Sequence, residues 1–448
     1  MSKHPNVVFI LSDQHRAQAL GYAGNPDVQT PHFDALKEES LSLTTAVSCI
    51  PVCTPMRACL LTGQYPLTHG IFLNDIYLRP AAVSMAEAFA EGGYDTAYIG
   101  KWHIDGHGRS GYIPPERRQG FDFWRTLECT HSYNDSKYYA DDEKEPRKWE
   151  GYDAEAQTEC AIEYIRGRDD SKPFMLVLAW GPPHAPYSGA PEKFSSMYDP
   201  SAITLRPNVP KDAQEAARAD IAGYYAHTSA LDEYIKRLLD HLEEQGIADN
   251  TIFVYTSDHG DMLGSQGNVK KQQPWDESIL VPFLIRYPEL LGRHGREEPA
   301  PMNTPDIMPT LLELAGLPIP ETVEGNSYAD FFLGKTACPA DAALIQCISP
   351  FGQWSAKYGG KEYRGIRTDR YTYARDLGGP WLLYDNRKDP YQQRNLCDDP
   401  KSSAIKTQLD EMLSGMLAER HDKFLDGSTY VKMWDYPVGE NGTVPWEW

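Results

Sequence analysis

Along the chain, short runs of β-branched, aliphatic and aromatic residues recur, separated by longer stretches with helical patterning. Residues 7–11, 96–99, 174–179, 252–256 and 282–285 are near-continuously apolar rather than alternating. Strands of that texture are covered on both faces, as in a mainly parallel sheet between helices. Helix-period patterning spans residues 33–40, 57–62, 84–91, 155–166, 216–245 and 306–315. The longest of these carries Ala222, Tyr225, Leu231, Ile235 and Leu238 along one stripe. The pattern predicts an α/β domain over residues 1–335, built on a large mixed, mainly parallel sheet flanked by helices. The polar stretches 141–150 and 191–212 are expected as surface loops. From about residue 336 the texture changes. Residues 343–348, 363–367, 371–374 and 381–384 read as short antiparallel strands and 403–419 as a closing helix, which predicts a smaller C-terminal α+β domain over 336–448.

Composition narrows the function classes. At about 150 residues per domain, 448 residues make two or three domains, and 41% apolar residues fill a large core. Lys plus Arg number 43 and Asp plus Glu 64, a net charge of −21. That balance argues against a nucleic-acid partner, whose phosphates call for a basic surface, and against a polybasic membrane-surface protein. No run approaches the ~18 apolar residues of a membrane span. The apolar run after Pro5 is too short for a secretory leader. As written, the sequence is expected in the cytoplasm, and a trimmed leader would place it in the periplasm or outside the cell. Eight cysteines do not make a disulfide scaffold. The 10 Trp and 27 Tyr could stack sugars, although core packing accounts for most of them.

An acidic protein can still gather cations locally, and in an open parallel sheet ligands bind beyond the carboxyl ends of the strands. Ser12, Asp13 and Gln14 follow the first run, Gly100 to His103 the second, Pro183 and His184 the third, and Ser257 to Gly260 the fourth. Asp13, Gln14 and Asp258 offer oxygen donors for a hard dication. His259 adds a nitrogen that Ca²⁺ tolerates and Mn²⁺ accepts more readily. Read alone, Asp258-His259-Gly260 is equally a turn with a capping carboxylate, and Lys101 with His103 a solvated pair. In Cys53-Thr54-Pro55-Met56-Arg57, Thr54 reads as an N-cap and Pro55 as the first helical residue. Cys53 would then sit just ahead of a helix amino terminus, whose free N–H groups favour an anion, with Arg57 one turn in. The bland reading is a buried loop cysteine. The spacings among Cys49, Cys53 and Cys59 support neither a redox pair nor a zinc site.

With these segments in view, the chain resembles a type I, formylglycine-dependent sulfatase of the alkaline phosphatase superfamily. The Cys-x-Pro-x-Arg motif at 53–57 is followed by Leu61-Thr62-Gly63-Gln64-Tyr65-Pro66 and His69-Gly70. Pro5 to Asp13, Gly100-Lys101-Trp102-His103, Pro183-His184-Ala185-Pro186-Tyr187, Ser257 to Asp261 and Arg364-Gly365-Ile366-Arg367-Thr368 match in order. The resemblance implies an alkaline phosphatase-like fold and a sulfuric ester hydrolase. Its nucleophile is a formylglycine (3-oxoalanine) made from Cys53 by a formylglycine-generating maturation enzyme. It further implies that Asp13, Gln14, Asp258, His259 and the modified Cys53 hold Ca²⁺, with Mn²⁺ the other choice. One hydroxyl of the hydrated aldehyde attacks sulfur, the other expels sulfate, and His103 is the base. Arg57 and Lys101 steady the formylglycine, while His184 and Lys271 bind sulfate and assist the leaving oxygen. Lys271 is preferred to Lys270 by its spacing after Asp258. Asn74 is a further sulfate contact. The implied substrate is a sulfated carbohydrate or another small sulfate ester, and a homo-oligomer is compatible with this reading.

Two positions depart from the commonest family pattern, Gln14 standing for a second Asp and His259 for an Asn. The same pair occurs in choline-sulfatase-like and phosphonate-hydrolase-like branches, so a formylglycine-dependent phosphonate monoester or phosphodiester hydrolase is the alternative. An anion-binding relative with unmodified Cys53 is a third reading. On charge alone, Gln14→Glu is expected to hold the metal more tightly and turn over more slowly.

Overall fold

The computed structural model describes residues 4–439 and 442–445, so the outermost residues of both expected domains lie outside the described part. Ten strands form one mixed sheet: β1 (Asn6–Asp13), β2 (Leu41–Val47), β3 (Asp95–Lys101), β4 (Phe123–Leu127), β5 (Lys137–Ala140), β6 (Arg147–Lys148), β7 (Phe174–Pro183), β8 (Thr251–Ser257), β9 (Phe283–Arg286) and β10 (Arg296–Asn303). Their order is β10-β2-β9-β8-β1-β7-β3-β4-β5-β6. The central strands β8, β1, β7 and β3 are mutually parallel neighbours, so their carboxyl ends share one edge. The run near residue 283 belongs to β9, which is antiparallel to both its neighbours, β8 and β2.

Burial on both faces explains the unbroken apolar runs. Val7, Phe9 and Leu11 of β1 point into one core, and Val8 and Ile10 into the other, as the two-residue period of a strand dictates. The first core holds helix α1 (Cys53–Thr62); the second holds α2 (Asp153–Gly167) and the 31-residue α3 (Gln214–Glu244). The stretch 191–212 is less loop-like than expected. It contains the short helix Glu192–Ser195 and further helical turns, with Phe194 and Tyr198 packed into the second core.

A second sheet, of four antiparallel strands, has the order β11 (Ala342–Cys347), β12 (Tyr363–Thr368), β13 (Tyr371–Asp376) and β14 (Gly379–Asp385). Helix α4 (Ser403–Glu419) buries Leu409, Leu413 and Leu417 in the first core, which also takes in Ile366 and Tyr373 of the small sheet. The two sheets therefore share apolar packing. Among the described residues no helix is long and apolar enough to cross a membrane.

Candidate active site

The shared edge of β1, β3, β7 and β8 delivers Asp13 and Gln14, Lys101 and His103, His184, and Asp258 and His259 to one place. Gly260 shows how tightly this edge is built. A Cβ there would stand 2.1 Å from the Glu277 carbonyl oxygen, so the residue after His259 must lack a side chain. Gln14 and His103 adopt left-handed backbone conformations, with φ of 68° and 60°, a strain non-glycine residues hold where surrounding contacts fix them. Cys53 enters from α1, and here the structure corrects the expected helix start. The helix begins at Cys53 itself, Val52 takes the cap position without a side-chain bond, and Thr54 lies inside the first turn. The side chain of Asn74 supplies the cap instead, its Oδ1 accepting from the Thr54 N–H at 3.1 Å.

Asp13, Cys53, Asp258 and His259 are buried with their donor atoms within 4.8 Å of one another. Sγ of Cys53 lies 3.2 Å from His259 Nε2 and 3.8 Å from Asp13 Oδ1. His259 Nδ1 donates to the Gly260 carbonyl at 2.9 Å, which leaves Nε2 facing the cluster, the usual arrangement of a ligating imidazole. Cations occupy the outer side. Arg57 Nη2 bridges Asp13 Oδ2 (3.3 Å) and Asp258 Oδ2 (3.2 Å), and Lys101 Nζ pairs with the same Asp13 oxygen. Across the cluster, Lys271 Nζ donates to His184 Nε2 (2.8 Å), Gln14 Oε1 (3.0 Å) and Cys53 Sγ (3.4 Å). His184 Nδ1 donates to the Ala185 carbonyl at 2.7 Å. Lys270 is exposed.

The charges shift as these contacts require. Burial opposes ionisation of Asp13, but the Lys101 ammonium and the Arg57 guanidinium hold its carboxyl well below the ordinary range. Burial and the neighbouring Asp13 carboxylate push Asp258 up to about 6. Two carboxylates crowded into one dry site repel, and a dication between them would remove that repulsion. Burial and Asp13 oppose the Cys53 thiolate, yet Lys101, Lys271 and His259 bring the thiol well below its usual value. Burial opposes protonation of His103, but Cys129 and the acceptors Asp75 and Cys53 push the imidazole up to about 10. Burial and Lys271 keep His184 neutral. Two buried carboxylates, an imidazole and a low-pKa sulfur, with a carboxamide oxygen alongside, are a donor set that fits a divalent cation.

Several residues of this place carry no mark in the sequence. Asp75 Oδ1 lies 3.3 Å from His103 Nε2, and Arg109 grips both Asp75 oxygens at 2.8 and 2.9 Å. His131, exposed at the rim, stacks on His184 with ring centroids 4.7 Å apart and planes at 7°. Asp261 and Tyr187 contact Gln14. Both stand within the motifs at 183–187 and 257–261, and that adjacency was the one available signal.

An open α/β sheet with a buried dication donor set at its carboxyl edge, ringed by Arg57, Lys101 and Lys271, is the arrangement of an ester hydrolase of alkaline phosphatase-like architecture. The sulfatase family model matches residues 5–317, and the model of the N-sulphoglucosamine sulphohydrolase C-terminal region matches 264–419. The chain belongs to the sulfatase family and is a sulfuric ester hydrolase. An ulvan-active sulfatase of Formosa agariphila is 46% identical over 98% of this chain and 86% of its own length. A structure solved in work on glycosaminoglycan metabolism by Bacteroides thetaiotaomicron superposes with a TM-score of 0.85 at 28% identity, covering 97% of this chain and 100% of that one. A phosphonate monoester hydrolase of Agrobacterium radiobacter shares the fold, with a TM-score of 0.74 at 24% identity over 98% of this chain and 99% of its own.

Proposed function

We propose that this sulfatase hydrolyses sulfate monoesters of a sulfated carbohydrate, using a formylglycine made from Cys53 by a maturation enzyme. Asp13, Gln14, Asp258, His259 and the modified residue are proposed to hold the cation. Ca²⁺ is the proposed ion on the strength of three oxygen donors, and Mn²⁺ is the other fit through His259. When present, the formylglycine supplies a hydroxyl nucleophile that can release sulfate by reverting to the aldehyde, and the cation acidifies that hydroxyl. Arg57 and Lys101 balance the carboxylates and fix Asp13. His103, oriented by Asp75, exchanges a proton beside residue 53. Lys271 faces the opposite side, where its ammonium can bind sulfate oxygens and protonate the leaving oxygen, while neutral His184 accepts a Lys271 N–H and holds that ammonium in place. The observation that carries this reading is the convergence of the Lys271 ammonium, His259 Nε2 and an Asp13 oxygen on Cys53 Sγ.

The carbohydrate part rests on the ulvan-active relative and on a cleft of about 1030 Å³ lined by Asn268, Val269, Gln353, Lys357 and Tyr358. Gln353 Nε2 donates to the Lys271 carbonyl at 3.1 Å, so the cleft opens beside the proposed sulfate pocket. Residues 336–448 are proposed as the C-terminal domain, and Pro350, Gln353, Lys357 and Tyr358 of that range line the cleft. Gln14 and His259 favour phosphonate ester hydrolysis as a second reading.

Mass spectrometry of the active enzyme tests the nucleophile, since conversion of Cys53 lowers its peptide by about 18 Da through exchange of sulfur chemistry for an aldehyde. Unmodified thiol in fully active protein would refute it. An aryl sulfate and an aryl phosphonate with the same leaving group separate the two readings. The sulfate is expected to have the higher kcat/KM, and the reverse order selects the phosphonate hydrolase.

A further inference from the structure

Gln14 stands where the commoner family pattern has a second carboxylate, and the structure shows what has taken over the missing charge. Its Nε2 donates to Asp261 Oδ2 at 2.6 Å, while its Oε1 accepts from Lys271 Nζ at 3.0 Å. The opposite amide orientation would press an oxygen against a carboxylate and an N–H₂ group against an ammonium. Asp261 is fully buried and makes no salt bridge among the described residues. Four donors fill it. Oδ1 accepts the backbone N–H groups of Leu263 (3.1 Å) and Lys270 (3.0 Å), and Oδ2 accepts Gln14 Nε2 and the Tyr187 hydroxyl (2.5 Å). The two backbone donors hold Asp261 in place, and Asp261 in turn allows Gln14 one orientation only.

We propose that Asp261 is a positioning residue that makes Gln14 an oxygen donor to the cation site, the carboxylate absent from position 14 having moved one hydrogen bond outward to position 261. This rests on the proposed cation site. A hydrogen bond to a carboxylate also polarises the amide and raises the electron density on Oε1, the outer-contact effect known for ligating side chains. The pair carries a single negative charge, and which member bears it matters.

Three variants follow. Gln14→Glu places a second carboxylate oxygen 2.6 Å from Asp261 Oδ2, so the two side chains repel and the one at position 14 must turn out of its present orientation. Charge alone predicts tighter metal binding here, and Asp261 reverses that expectation. In Asp261→Asn the new side-chain oxygen stays on the two backbone N–H groups, and its NH₂ faces Gln14. The Gln14 amide must then flip and present Nε2 to the cluster. In the double variant Gln14→Glu with Asp261→Asn, the introduced NH₂ donates to one oxygen of the introduced carboxylate, and the other oxygen faces the cluster. One charge is kept, the bond between positions 14 and 261 is kept with its direction reversed, and the Tyr187 hydroxyl turns from donor to acceptor at position 261.

The test is Ca²⁺ titration by calorimetry into the chelator-treated full-length protein, with Mn²⁺ in place of Ca²⁺ if the unmodified sequence binds only that ion. Each single variant is expected to weaken binding at least ~10-fold, the scale of lost outer-sphere support, and the double variant to regain near-original affinity. Additive losses in the double variant, or unchanged affinity in Asp261→Asn, overturn the proposal. If Asp261→Asn does not fold, Gln14→Glu decides, since tighter binding there overturns the proposal as well. Asp13→Ala and Asp258→Ala separate the two levels of inference. Unchanged affinity in both means that the cation site itself is misplaced. Their loss of binding beside a normal Asp261→Asn means that only the positioning role is wrong.

Discussion

His103 has the geometry of a tuned proton carrier. Asp75 takes its Nε2, and Arg109 holds Asp75 rigid through two bonds. Part of what lifts His103 to about 10 comes from Cys53 and Cys129, but the Asp75 share survives conversion of Cys53. Because a carboxylate favours the imidazolium and a carboxamide does not, Asp75→Asn should move the His103 limb of the kcat/KM profile toward lower pH. It should also cost on the order of 10²-fold in kcat, the lower range for acid–base catalysis. A pH profile between 6 and 10 checks the direction, and an unmoved limb means that Asp75 does not set this proton. Residues such as Asp13, Asp258 and His103 were legible because each follows an apolar run directly. Asp75 and Asp261 were not, because their partners stand 28 and 247 positions away in the chain and no local pattern encodes such a pairing.

Elements were legible in proportion to how continuously apolar their sequence is. The four central strands were expected within a few residues. In contrast, β2, with Ser42, Thr44 and Thr45 among its leucines, and β10, with Pro299 and Pro301, escaped notice. Prolines are tolerated in β10 because it is an edge strand, with a register break between Glu298 and Pro301. The start of α1 misled for a related reason. Thr before Pro is a common cap signature, but the Thr54 hydroxyl accepts the Asp75 N–H at 3.3 Å, and Asn74 caps the helix from another segment. Only Oδ1 of Asn74 makes that bond, and the sulfate contact expected of this residue from the sequence would fall to its NH₂. Asn74→Ala should therefore lose both functions, with about 1 kcal/mol of stability and a raised KM. Asn74→Asp should raise KM while melting normally. Thermal melts with paired kinetics check the split; a melting loss equal to that of Asn74→Ala contradicts it.

At the scale of the whole molecule, the small sheet acts as a brace for the segment that carries Lys271. Arg367 of β12 grips Asp276 through two bonds of 3.0 Å, and Gln392 bonds the same residue through both its backbone N–H and its carboxylate. Gln272 exchanges two hydrogen bonds with Phe351, and Tyr363 donates to the Gln272 carbonyl at 3.0 Å. Arg367→Met would strand a buried carboxylate, which costs roughly 3–5 kcal/mol. Denaturant titration should show that loss. Turnover should fall with it because Lys271 is no longer fixed, while Ca²⁺ affinity stays near normal. A stability loss without a kinetic one would confine the contact to architecture. The change of texture near residue 336 announced a second sheet, but not this bracing role, which depends on which arginine meets which aspartate across 91 residues.

The burial of Cys53 also sets a clock. His259 and Lys271, which close over its sulfur, follow it by 206 and 218 residues. At a synthesis rate of ~5–20 residues per second, roughly 10–40 s pass between the emergence of the cysteine and that of its cover. Until residues 174–183 and then 251–257 have emerged, β1 lacks its neighbours β7 and β8 and the enclosure around the cysteine cannot be complete. Once the sheet closes, the proposed maturation enzyme would meet a side chain only 2% exposed. The long loop in connectivity that encloses the site therefore doubles as a delay line, and under the proposed conversion of Cys53 a chain that folded first would stay unconverted.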